Sequence, residues 1–345
     1  MNPKHVKMSS RLVGAAMLAL AASCGAPAEH KTATGSGPIR GTFIQYQDWM
    51  ARLGRDDWCR ELDAMRRAGI DLVIIQWLEN GEASYLPRHR WSHDPTGTIL
   101  SYADDHGMRV FVGLAHADIW RPRLRDPRYL DRSAARSLKV AEEAWRRYGG
   151  HRSFAGWYLP QEIRDALYSP DQIVDLRGFF ARQSSRCREL SGGKPVAVAP
   201  AVMGLIQADD FARAYASLLS GSGINVVILQ DGVGARGWSD GLESRVVPYF
   251  QAMRDTCRTA RVELWSDIEI FQKGESASGR IPAPIERLEQ QLKAESPFVT
   301  TFVMFDFFHY MSPYRGEAQK KLYENYLRAL VKPGEAPRER SAGGS

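Results

Sequence analysis

Cysteine is scarce in this chain: four in 345 residues. Three of them, Cys59, Cys187 and Cys257, fall in segments with helical spacing, and none belongs to a C-x-x-C or a Cys/His ligand pattern. That argues against a disulfide-framework fold and against a zinc site. Buried thiols are the expectation, with one disulfide plus a spare thiol as the alternative. A basic stripe is missing too. The formal charge is +6, of which Lys4, Lys7 and Arg11 supply +3, and the remainder is too small to argue for nucleic acid as a partner. No glycine-rich phosphate loop follows the first strand-like run, where Gln45-Tyr-Gln-Asp-Trp49 stands instead, so a doubly wound nucleotide-binding fold is disfavoured. Nothing in the chain calls for a cofactor, and no protein partner can be inferred.

The amino terminus has its own character. Basic residues Lys4, Lys7 and Arg11 precede a short apolar run, Leu12 to Ala22, with the shape of a signal-peptide core and too short to cross a bilayer. It ends at Leu20-Ala-Ala-Ser-Cys24-Gly25, where small residues before a cysteine resemble a bacterial lipobox. Ala21 stands where leucine is commoner. The resemblance implies diacylation of Cys24, membrane contact through that lipid alone, and an extracytoplasmic location, with plain secretion to the periplasm or medium as the alternative. Residues 1–23 are thus read as a lipoprotein signal, 24–38 as a flexible tether, 39–331 as one folded domain and 332–345 as a disordered tail.

Within 39–331 there are eight strand-like runs: residues 41–47, 71–77, 108–115, 154–159, 195–199, 225–231, 261–269 and 298–306. Helical periodicity follows each of the clear units, as in Trp58, Leu62 and Met65, or in the segment opened by the cap and proline Ser169-Pro170. Near-continuous apolar strands alternating with amphipathic helices describe a buried parallel sheet. Eight units in this length predict a single (β/α)8 barrel.

The polar residues are segregated. Strand interiors are apolar, whereas the C-terminal ends carry Gln45 and Gln47, Gln76 and Trp77, His116, Gln161 and Glu162, Gln230 and Asp231, Trp265, Asp267 and Glu269, then Asp306 and His309. In a barrel those ends share one mouth, the face where such folds place chemistry. Amides suit hydrogen bonds to sugar hydroxyls and indoles suit pyranose faces, so the inventory predicts a neutral carbohydrate ligand and fits a phosphate poorly. Glu162 and Glu269 end strands that lie roughly across the mouth, and could flank a glycosidic bond. In such pairs a separation of about 5–5.5 Å gives retention of configuration and about 6.5–9.5 Å gives inversion.

Gln161-Glu162 after an aromatic fourth strand resembles the Asn-Glu of the retaining TIM-barrel glycosidase superfamily, in which the acid/base ends strand four and the nucleophile ends strand seven. Gln161 departs from that motif, which questions its contact to a sugar 2-hydroxyl. The pattern Gly41-Thr-Phe-Ile-Gln45, Gln76-Trp77, Gly156-Trp-Tyr158, Gln230-Asp-Gly-Val-Gly234 and Trp265-Ser-Asp-Ile-Glu-Ile-Phe271 is similar to an uncharacterised bacterial family, a domain of unknown function among glycosidase-like barrels. The resemblance implies a glycoside hydrolase with Glu162 as general acid/base, beside Tyr158 and Trp157, and Glu269 as nucleophile. Gln45, Gln76, Trp77, His116, Tyr158, Gln161, Gln230, Asp231, Trp265, Asp267 and Asp306 are the expected substrate contacts.

Plainer readings compete. Glu162 could pair with Arg164, Asp267 shares strand parity with Glu269 and rivals it, and Asp231 could simply shape the following glycine turn. His116 and His309 could be structural. Trp58 and Trp145 are expected in helix packing, while Trp120 and Trp238 join Trp77 and Trp265 as possible sugar platforms. Two other functions are weighed: a non-catalytic carbohydrate-binding protein on the same scaffold, and a metal-dependent hydrolase using His116, His309, Asp231 and Asp306, which lack paired ligand spacing.

Overall fold

The computed structural model describes residues 37–87, 93–117, 120–238, 240–274 and 279–331. The leader, Cys24, nearly all of the tether and the tail lie outside the described residues. Eight strands close into one barrel: β1 (Ile39–Ile44), β2 (Leu72–Ile75), β3 (Arg109–Gly113), β4 (Phe154–Leu159), β5 (Val196–Val198), β6 (Val226–Gln230), β7 (Glu263–Glu269) and β8 (Thr301–Phe305). Each pairs in parallel with its sequence neighbours, and β1 pairs with β8. Because a parallel neighbour needs a crossover, eight main helices wrap the outside: α1 (Arg55–Arg67), α2 (Pro95–His106), α3 (Pro127–Tyr148), α4 (Pro170–Ser191), α5 (Ala208–Leu219), α6 (Val247–Ala260), α7 (Ile285–Glu295) and α8 (Glu317–Leu330). None of the described helices is long and apolar enough to cross a membrane. The expected (β/α)8 barrel is present.

The helix ends follow from local chemistry. Ser169 accepts from the backbone N–H of Gln172 while the Gln172 side chain accepts from Ser169 N–H, a reciprocal cap that starts α4. The helix after β3 begins at Pro127, because Asp126 caps Arg128 and Tyr129 and proline suits the first turn. The segment 241–259 divides into Leu242–Arg245 and α6, which has Pro248 near its start. Cys187 and Cys257 are free and fully buried in α4 and α6, and Cys59 is half-buried in α1.

Two hydrophobic layers result. Alternate strand residues such as Val73, Val112 and Trp157 point outward under the helices. The others, including Phe43, Ile74, Phe111, Tyr158, Ile228 and Trp265, fill the barrel interior. Gly156 permits that filling: a Cβ there would meet the Phe111 ring at 2.5 Å. Two small additions decorate the mouth. Glu79–Asn80 pairs with Ala83–Ser84 and with Ala115–His116, and a hairpin joins Phe271–Lys273 to Arg280–Pro282 immediately after β7.

Candidate functional site

A cavity of about 480 Å³ opens at the C-terminal mouth of the barrel. Among the sequence-derived candidates it is lined by Gln45, Gln76, Trp77, His116, Tyr158, Glu162, Gln230, Asp267 and Glu269. Strand parity explains the acidic wall. Residues two apart on β7 face the same way, so Trp265, Asp267 and Glu269 climb the interior in successive layers. Trp265 packs edge-on against Phe111 at 5.9 Å and donates from Nε1 to Glu263 at 2.8 Å; it belongs to the apolar floor and does not line the cavity. Asp267 lies one layer up and Glu269 at the rim.

Glu269 is held in place. Its Oε2 accepts from the Ala235 N–H at 2.6 Å, and Arg287 donates to the Glu269 and Phe271 carbonyl oxygens at 2.5 and 2.6 Å. Burial, and after it the charge of Asp231, pushes the Glu269 carboxyl up to about 8. Burial, with Glu269 the next cause, also raises Asp267 well above the ordinary carboxylate range, and its Oδ1 is buried without a hydrogen-bond partner.

Glu162 extends the inward-facing row Gly156, Tyr158 and Pro160 beyond the end of β4. Its carboxylate forms an ion pair with Arg121, not Arg164, and its backbone carbonyl accepts from Trp120 Nε1 at 3.0 Å. Trp157 is absent from its surroundings. That ring faces outward, packs on Phe154 and Trp145, and donates to Ser191 Oγ at 3.0 Å.

The opposite wall is an amide and aromatic shelf. Gln45 donates to Gln76 at 2.8 Å, and Gln47 receives the Trp49 indole N–H at 2.8 Å. Trp77 stacks on His116, with ring centroids 5.2 Å apart and planes 12° from parallel, while the His116 Nδ1 meets Asn80 Oδ1 at 2.9 Å. Gln230 stands on the acidic side instead, as the register partner of Asp267 on the neighbouring strand, and donates to the Ala199 carbonyl at 3.0 Å.

Several expected contacts stand behind the wall. Gln161 is buried and donates to the Ala115 carbonyl at 2.7 Å, tying the ends of two strand units together. Asp231 is fully buried; it accepts from the N–H groups of Val233 and Glu269 and from the Gln291 amide. Asp231 therefore fixes the turn whose Ala235 N–H holds Glu269. Asp306 is also fully buried and accepts from His309, both backbone and ring. Burial alone would lower the His309 pKa, but Asp306 more than offsets this and raises it. Trp238 lies outside the cavity beneath Arg245, at 6.0 Å, whereas Trp120 is part of the lining. Among the described residues no three His, Cys, Asp or Glu side chains gather as metal ligands would.

Sequence reasoning did not single out Arg121 or Arg280 as site residues, and considered Arg164 only as a partner for Glu162. All three line the cavity. They sit in a one-turn helix, a loop and a hairpin, too short for a periodic pattern to mark orientation.

Closed parallel strands, outer helices and a cavity at the C-terminal mouth define the (β/α)8 barrel class. Within that class the chain belongs to the family described as a domain of unknown function (DUF4434), matched over residues 39–317. Its fold is similar to a candidate alpha-L-fucosidase from Bacteroides thetaiotaomicron VPI-5482, with TM-score 0.71 and 20% identity over 88% of this chain and 98% of that one. It is also similar to the endo-beta-1,4-mannanase of Thermotoga petrophila, with TM-score 0.56 and 12% identity over 85% and 77% of the two chains. A cold-adapted beta-galactosidase from Rahnella sp. R3 aligns at TM-score 0.56 and 10% identity, over 86% of this chain and 56% of the other. At these identities the likeness is one of fold. No curated protein matches the chain in sequence.

Proposed function

We propose that the protein is a glycoside hydrolase acting on an extracytoplasmic glycan, with Glu162 and Glu269 as its carboxylate pair. The observation that carries this reading is their convergence from β4 and β7 on one mouth cavity that also presents amides and aromatic faces. The glycosidase-like neighbours support it at the level of fold. Hydrolysis requires one proton donor and one carboxylate. Burial holds the proton on Glu269 up to about pH 8, whereas Glu162 faces the Arg121 guanidinium. On that ground Glu269 is assigned the proton donor's role and Glu162, ion-paired with Arg121, the carboxylate's, the reverse of the order that the superfamily resemblance implies.

Aryl glycosides with good leaving groups test both parts, because they need little acid assistance. Glu269→Gln should retain turnover on an activated aryl glycoside while losing it on unactivated glycans. Glu162→Gln should lose both, by about 10² or more. The opposite pattern restores the superfamily order. Saccharide binding without turnover in the wild type would make the protein a carbohydrate-binding member of the fold.

The leader and Cys24 support export and lipid anchoring. Metabolic labelling with a fatty acid, lost in Cys24→Ala, is the expected result.

A further inference from the structure

Three guanidinium groups surround the proposed sugar site. Arg121 comes from the short helix Trp120–Arg123, Arg164 from just beyond β4, and Arg280 from the hairpin that follows β7. Hydroxyl recognition alone gives no reason to gather three permanent cations in one concavity, where each loses part of its hydration. Their internal partners account for only part of this charge. Arg121 is paired with Glu162. Arg280 lies 4.4 Å above the Phe271 ring, hydrogen-bonds Tyr310 and shares its charge with Glu269. Arg164 is half-buried, and its Nε is buried without a hydrogen-bond partner.

A second depression of about 410 Å³ shares the wall formed by Arg121, Glu162 and Arg164, and adds the exposed Arg125. Cationic groups therefore continue from the cavity outward along the loops after β3 and β4. A guanidinium presents paired N–H groups as a two-point fork for a planar or tetrahedral oxyanion, and the Arg164 side chain lines both depressions.

We propose that the ligand is an anionic glycan: a sugar bearing a carboxylate or sulfate ester seats that group on Arg164, and a neighbouring unit occupies the depression beside Arg121 and Arg125. This rests on the reading of the cavity as a sugar site, and names its substrate class. It also replaces the neutral ligand expected from the strand ends alone, which did not include the loop arginines.

Calorimetric titration of the whole protein decides the matter. The probes are galacturonate and glucuronate oligosaccharides, a sulfated oligosaccharide, and neutral oligosaccharides of equal length. An acidic probe should bind at least about tenfold tighter than its neutral counterpart, the scale of one charge-assisted hydrogen bond. The preference should shrink as salt is raised and disappear in Arg164→Gln. The arm that binds, uronate or sulfate, identifies the anion. Should Arg164→Gln fold poorly, exposed Arg125→Gln provides a second check: it should weaken acidic oligosaccharides while sparing the acidic monosaccharide. Equal affinity for neutral and acidic probes, or no binding of any acidic probe, overturns the proposal. Hydrolysis of neutral glycans without affinity for acidic ones would remove this inference and leave the glycosidase reading intact. Acidic-glycan binding without hydrolysis would do the reverse.

Discussion

Adjacent residues at the strand ends go separate ways. Glu162 and Gln161, Gln230 and Asp231, Phe305 and Asp306 are neighbours in sequence, yet the first of each pair lines the cavity and the second is buried behind it. Period-two alternation produces this wherever the strand geometry persists. Gln76 and Trp77 both reach the cavity because β2 has ended at Ile75 and alternation no longer binds them. The sequence thus made the mouth set legible as a set, while the facing of each member needed the actual strand ends. Depth was hidden as well: Trp265 has the right parity but sits two layers beneath Glu269. The arginines were illegible for a different reason, since their segments are too short to carry a period. At this scale the Glu269 proton has a measurable consequence. The folded chain holds that proton up to about 8, against an ordinary value of 4.5. Its stabilising contribution is complete below about 4.5 and is lost as pH rises through about 8, since the folded state binds more protons across that window. Thermal midpoints of the wild type should therefore fall relative to Glu269→Gln across that pH range. Parallel curves would refute the assignment.

At the scale of elements, the turn after β6 is built around a close backbone approach. A Cβ at Gly234 would lie 2.3 Å from the Phe271 carbonyl oxygen, so even alanine must push the turn away from the hairpin. Ala235, whose N–H holds Glu269, is the next residue. Gly234→Ala should cost about 1–3 kcal/mol of stability, the range for overpacking, and should depress activity beyond what partial unfolding explains. Urea unfolding together with turnover on an activated substrate measures the two effects. An unchanged denaturation midpoint would mean that the turn has slack. Helix starts were mostly readable, because Ser169-Pro170 announces itself. Asp126-Pro127 carries the same signal, but it precedes the apolar periodicity of α3 and is easily assigned to the preceding loop.

For the whole molecule, closure depends on the last helix meeting the first. Tyr323 donates to the Ala64 carbonyl at 3.1 Å and accepts from Arg67 at 3.3 Å, while the Tyr326 hydroxyl accepts from Ile39 N–H at 3.4 Å at the start of β1. Truncation before Glu317 removes these contacts and uncovers the outer face of β1. The expected result is loss of a single cooperative unfolding transition by circular dichroism; a sharp transition near the wild-type temperature would show that the barrel closes without α8. Eight repeated units made the barrel itself legible, since their spacing and apolar strands admit few other topologies.

Asp231, Asp267, Glu269 and Glu295 occupy one desolvated neighbourhood, so their protons form a shared inventory rather than four private ones. An inflection in a pH–rate profile would carry contributions from the whole group, of which Glu269 supplies the part that Glu269→Gln removes. It follows that the working pH of this site is adjustable from a distance: a substitution at Asp231, which has no access to a ligand, retunes the acid that does.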